Sequence, residues 1–228
     1  MPDVDVSRTA MPAPPRQWLV AAIAVAGALG VAFYVGAWLV AGLWWDGYDP
    51  TTQAISELFA IGAPLASSRL VVSALVVTGF LLVAFGWVLH VGLPGTGVAG
   101  PAAASVSGVM TVAVVFVPCS AGCPGAATST TDLLHAVLAG FGYVALVATP
   151  LLIAWRVRAD EPGLARWSWL LGGVAALGLI LRTVGFGADH TGLQQRVFNT
   201  TADLWFVVVA ITIVRRSAAD VGAPATDE

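Results

Sequence analysis

Lysine is missing from this chain: all ten basic residues are arginine. Charged residues of every kind reach only 10%, against about a quarter in a soluble domain, so there is too little polar surface to coat a water-soluble globule. The formal net charge of −3 leaves no basic excess for a nucleic-acid partner. Reaction signatures are missing as well. There is no H-E-x-x-H pair, no Gly-rich phosphate loop and no nucleophile elbow, so no catalytic residue can be named and no cofactor is expected.

What is present is apolar sequence, 58% hydrophobic. It falls into runs over residues 18–45, 70–93, 98–117, 133–155, 167–186 and 200–214, the last reaching back to 193 if its helix starts early. A helix rises ~1.5 Å per residue, so ~20 residues cross a hydrocarbon core of ~30 Å. The expected fold class is all-α: a polytopic membrane protein of six transmembrane helices. Residues 1–16 and 217–228 read as disordered cytoplasmic tails around a membrane domain at 17–216. The first run continues far beyond the ~7–15 residues of a signal-peptide core, so a retained span is expected.

Arginine sets the orientation. With the N-terminus inside, Arg8, Arg16, Arg156, Arg158, Arg166, Arg215 and Arg216 are cytoplasmic. Only Arg69 and Arg196 fall outside, with Arg182 left in the fifth run. Both termini are then cytoplasmic, and the plasma membrane is the expected location. Tryptophans at the ends of runs, such as Trp18, Trp44, Trp45 and Trp155, agree with headgroup-level placement.

That orientation puts Cys119 and Cys123 in the outer loop between the third and fourth runs. An oxidising exterior favours a disulfide between them; a metal site is disfavoured because no third soft ligand is near. Gly100, Ala104 and Gly108 form a small-residue stripe that permits close helix approach. Pro101 and Pro150 are candidate kinks. In the first outer loop, Asp49-Pro50 resembles a helix start and Gly62 a stop. The stretch between them reads as a short amphipathic helix lying flat at the interface, a spacer or a lid.

The ionisable residues gather by depth at the outer end. Asp132 and His135 share a face at the start of the fourth run. Arg182 lies near the outer end of the fifth, followed by Asp189 and His190. Arg196, Asn199 and Asp203 form one stripe leading into the sixth, and Glu57 approaches from the first loop. A charge within a span costs ~2.5–3.5 kcal/mol on insertion scales, so such groups usually face an interior or a wet cavity and pair. Arg182 is expected to pair with Asp132 or Asp203. Such a cluster is either a structural ion pair or an outward pocket of mixed charge.

Four short pieces carry a resemblance. They are Ile55-Ser56-Glu57-Leu58 in the first outer loop, Phe116-Val117-Pro118 closing the third run, Leu134-His135 opening the fourth, and Gly192-Leu193-Gln194-Gln195-Arg196 before the last. In order and placement the chain resembles domain-of-unknown-function family 998, small multi-span integral membrane proteins. The cysteine pair after Pro118 departs from the Pro-then-Asp form associated with that family, so no acidic role carries over there. The resemblance implies no activity. It does put Glu57, His135 and Arg196 at motif positions.

The leading expectation is an outward-facing pocket formed by Glu57, Asp132, His135, Arg182, Arg196, Asn199 and Asp203. It would bind a lipid headgroup or a small polar ligand, with Arg182 and Arg196 contacting an anion. Expected partners are membrane lipids and that ligand. Two alternatives stand beside it: a metal-assisted membrane hydrolase or transferase using Asp132, His135 and His190, and a non-catalytic scaffold subunit that binds another helix through its small-residue stripe.

Overall fold

A computed structural model describes residues 15–124 and 127–222. Apolar runs with few helix breakers become helices, because in hydrocarbon each backbone N–H and C=O must be satisfied within its own segment. The helices are α1 (Pro15–Leu43), α2 (Leu65–Gly92), α3 (Ala99–Val114), α4 (Thr130–Val157), α5 (Pro162–Thr183) and α6 (Thr191–Gly222). Two short 3-10 segments join them, η1 (Ile55–Phe59) and η2 (Ala188–His190). All but α3 are long and apolar enough to cross a membrane, and α3, at 16 residues, is a shorter apolar helix. The chain is a multi-span, all-α membrane protein.

Each helix packs against the next in sequence, and α6 closes the ring against α1. The centre is aromatic: Phe85 meets Phe206 edge-on at 5.1 Å, and Trp205 meets Phe206 likewise at 5.1 Å. The Trp205 indole N–H, buried among them, donates to the Ser168 hydroxyl at 2.7 Å. Outward, Leu29, Phe80, Phe141 and Leu177 stay exposed, the surface a bundle shows to lipid and not to water.

One end of the ring is bound by arginine. Arg156 donates to the carbonyls of Leu89 (3.2 Å), Leu93 (2.8 Å), Pro94 (2.8 Å) and Gly97 (3.0 Å). It thereby satisfies the orphan C=O groups at the end of α2 and in the tight turn to α3. Gly95 takes φ +82° in that turn, a conformation that favours glycine. Arg216 pairs with Glu161 and also donates to the Gly92 carbonyl at 3.2 Å. The start of α1 and the end of α6 share this end, since a Cβ on Gly92 would touch both Val20 and Ile213.

Several expectations change. Helix α6 begins at Thr191 and runs past Ser217, where a tail was expected, to Gly222. Residues 15–16, at the other expected tail, already belong to α1; residues 1–14 and 223–228 lie outside the described residues. Pro101 stands in the first turn of α3, where no intrahelical N–H is needed, while Pro150 lies inside α4. The first loop holds no helix from Pro50. It makes a turn at 49–53 and then η1, whose Ile55, Glu57, Leu58 and Phe59 are buried against the ends of α1, α2 and α6. A buried plug replaces the flat interfacial helix, because the apolar side of the segment inserts between helix ends.

Candidate functional site

The plug end is built from backbone carbonyls and the side chains that hold them. Asp49 accepts the Thr51 N–H at 2.9 Å and the Thr51 and Thr52 hydroxyls at 2.7 and 3.0 Å. These bonds, the Thr51 N–H first, hold its carboxyl below the usual range. Glu57 accepts the Ala54 N–H at 2.8 Å and the Gln53 amide at 3.0 Å, closing the start of η1.

The loop is docked on the polar start of α6. Arg196 donates to the carbonyls of Pro50 (2.6 Å), Gln53 (2.8 Å) and Gly192 (3.0 Å) and to the Tyr48 hydroxyl (2.5 Å). Its guanidinium also sits 5.0 Å from the Trp38 ring, a cation–π contact. Burial raises the Tyr48 phenol pKa, and Arg196 works against that rise. Leu193 donates its N–H to the Thr51 carbonyl at 2.9 Å, and Gln195 accepts the Ile55 N–H at 2.8 Å. Gly192 is required here: a Cβ would run into the Gln53 carbonyl and come within 2.7 Å of the Pro50 oxygen.

A second support comes from the loop after α3. The Ile61 N–H donates to the Cys119 carbonyl at 2.9 Å. Asp132 holds that loop, accepting the Ser120 N–H at 2.7 Å and the hydroxyls of Thr128 (2.7 Å) and Ser129 (2.9 Å). Ser129 caps α4 by accepting the Asp132 N–H at 3.1 Å. The Cα atoms of Cys119 and Cys123 lie 5.1 Å apart with their sulfurs facing one another.

Beneath η1 lies a cavity of about 60 Å³, lined by Ser56 and Phe59 of the plug and by Tyr34, Thr78, Ser107, Thr111, His135, Tyr143, Gln195, Asn199 and Asp203 from five helices. A water needs ~10–15 Å³ of such space, so the volume suits an object of a few atoms. His135 Nδ1 lies 2.8 Å from the Val117 carbonyl. A carbonyl only accepts, so Nδ1 carries the proton and Nε2 of the neutral ring is an acceptor. Asn199 donates to the Tyr34 hydroxyl at 2.9 Å, and Gln195 donates to the Tyr143 hydroxyl at 2.5 Å. Asp203 differs from its neighbours. It is only 5% exposed, its Oδ2 is buried without a partner, and the carboxylate makes no hydrogen bond or ion pair with any described residue.

The expected cluster therefore divides. His135, Asn199 and Asp203 meet at the cavity. Glu57 and Arg196 belong to the docking of the plug, and Asp132 to the cysteine loop. Arg182 donates to the Thr191 carbonyl at 2.9 Å and pairs with neither Asp132 nor Asp203; the ion pair among the described residues is Arg216–Glu161 at the far end. Asp189 and His190 are exposed in η2, and among the described residues no three His, Cys, Asp or Glu side chains converge as a metal site would need. Sequence reasoning missed Tyr34, Thr78, Ser107, Tyr143 and Gln195. Their signal was available as uncharged polar groups inside apolar runs.

A family model described as "Protein of unknown function (DUF998)" matches residues 28–212. No curated protein and no solved structure matches the chain.

Proposed function

Because the chain belongs to the DUF998 family, whose description names no activity, we propose a function from geometry alone: a six-span plasma-membrane protein that admits a small polar ligand to the Asp203 cavity from the non-cytoplasmic side, with η1 as the plug. Helix α3 serves as the sixth span, its 16 residues extended by the turns that follow Val114. The arginine bias supports a cytoplasmic position for the Arg156 end, where α1 starts and α6 ends.

One observation carries the reading. Asp203 sits inside an apolar bundle, yet among the described residues no hydrogen bond uses its carboxylate. A buried polar group without a partner costs stability, and an intramembrane acid usually faces an interior or a wet cavity where it marks a candidate functional site. The ligand differs from the one the sequence suggested. Arg196 has both terminal nitrogens engaged by oxygen atoms, and neither it nor Arg182 lines the cavity, so the anion contacts are not on offer. At about 60 Å³ the space is also far below that of a lipid headgroup, given that ligand pockets usually run ~300–1,000 Å³.

The scaffold alternative loses its surface. A Cβ on Gly108 would approach Val83 N at 2.8 Å and one on Gly100 would meet Ile153 at 2.7 Å, so the stripe is consumed between α2 and α4. The hydrolase alternative has no centre, since Asp132 is saturated by loop donors and His190 is exposed.

Access is testable on intact cells. Ser56→Cys places a thiol on the half-buried residue of the plug that lines the cavity, and Thr96→Cys places one in the exposed α2–α3 turn. A small, membrane-impermeant methanethiosulfonate should modify Cys at 56 from outside, and Cys at 96 only after permeabilisation. Modification of position 96 alone from outside, or of 56 only in denaturant, would overturn the proposal.

A further inference from the structure

We infer that the Asp203 cavity is a binding site for a monovalent alkali cation, with the Asp203 carboxylate as its charged ligand. The inference rests on the reading of this cavity as a ligand site and names the class of ligand.

Charge comes first. Among the described lining residues Asp203 is the lone carboxylate, and none is an arginine. His135 keeps its Nδ1 proton on the Val117 carbonyl, and in the neutral ring its Nε2 is an acceptor. With Asp203 ionised, the wall offers one negative charge and no guanidinium to match it, and in a low-dielectric interior an unmatched charge is costly. A single positive charge balances it. A divalent ion would leave one charge in excess, and such ions are normally met by several carboxylates.

The wall also carries acceptors, beside the Tyr34 and Tyr143 hydroxyls whose own protons remain to donate. The Thr78 hydroxyl donates to the Gly30 carbonyl at 2.8 Å and the Thr111 hydroxyl to the Ser107 carbonyl at 2.8 Å. With their protons spent on helix carbonyls, the hydroxyl oxygens of these two lining residues are left as acceptors. Asn199 spends its amide donor on Tyr34, which leaves its Oδ1 free to accept. Oxygen ligands of this kind suit hard cations. Size agrees: about 60 Å³ accommodates an ion and a few waters at ~10–15 Å³ each, and is too tight for an organic cation of many atoms.

The test uses the full chain in detergent, at constant ionic strength in N-methylglucamine chloride, with sodium, potassium or lithium replacing the organic cation. Thermal unfolding should shift upward by several degrees, saturably, for one of the three ions, since a ligand bound only to the folded state stabilises it by mass action. Asp203→Asn should abolish the shift, while Asp160→Asn, an exposed control at the far end, keeps it. Should Asp203→Asn fail to fold, Ser107→Ala removes one cavity oxygen that makes no side-chain bond of its own, and should raise the half-saturating concentration at least several-fold. A melting temperature indifferent to cation identity, or an identical shift in Asp203→Asn, overturns the inference; a response to pH alone would point instead to a proton. Modification of Cys at 56 from outside together with cation indifference would sink the cation and leave the polar-ligand reading standing, whereas no modification at 56 removes the premise of both.

Discussion

Gln195 accepts the Ile55 N–H at 2.8 Å, so the first amide of the plug is held by a side chain of α6. The same carboxamide donates to the Tyr143 hydroxyl at 2.5 Å on the cavity wall. One residue couples the closure of the plug to the shape of the site beneath it.

Gln195→Ala should therefore loosen the plug without unfolding the bundle. It leaves the Ile55 N–H buried without a partner, at a cost of ~1–3 kcal/mol. The measurement is the rate at which an impermeant maleimide labels Ser56→Cys, which lines the cavity from η1. The rate should rise clearly in the double variant Ser56→Cys/Gln195→Ala. An unchanged rate would mean that other contacts alone set the closure.

Arg196→Lys tests the docking itself. Arginine reaches the Pro50, Gln53 and Gly192 carbonyls and the Tyr48 hydroxyl at once; an ammonium on a flexible stem has three donors and no planar fork. Losing one or two charge-assisted bonds, worth ~1.5–3 kcal/mol each, should lower the melting temperature and speed Ser56→Cys labelling together. Were Arg196 an anion site, the same change would leave both untouched.

These two residues show how far the sequence could be read. The long helices were legible because an apolar run of span length has few alternatives in a bilayer. The polar end of the bundle was legible too, since depth along each run follows from residue number. Depth supplies one coordinate, however, and the rotation of each helix supplies the other. Arg182, Asp132 and Asp203 lie at the same end yet turn toward different neighbours. Asp132 was read as a partner for arginine, but its partners are the N–H and hydroxyls of a loop whose path no periodicity describes. Tyr34 and Tyr143 were passed over because an aromatic ring in an apolar run looks like core until its hydroxyl is seen to face a cavity.

Gly108→Val distinguishes internal packing from partner binding. Its added atoms would press on Val83 N and Leu82 of α2, and overpacking of this kind costs ~1–3 kcal/mol. The melting temperature should fall, with no change in oligomeric state by light scattering, while Val109→Ala on the exposed face of α3 should be nearly silent. Loss of an oligomer at unchanged stability would restore the scaffold reading.

The cysteine loop supplies the last prediction. Cys119 offers its carbonyl to the Ile61 N–H at 2.9 Å, just past the plug, and its neighbour Ser120 is held by Asp132. A bond between Cys119 and Cys123, whose Cα atoms are 5.1 Å apart, would keep that carbonyl aimed at the plug, and it requires an oxidising side of the membrane. Protein taken from cells and denatured without reductant should therefore show no free thiol, and two after reduction. In the Cys119→Ser/Cys123→Ser background, Ser56→Cys should label faster than with the pair intact. Asp132→Ala should speed it further, because it releases the Ser120, Thr128 and Ser129 donors at once. Two free thiols before reduction would place this loop on the reducing side, and the plug with it.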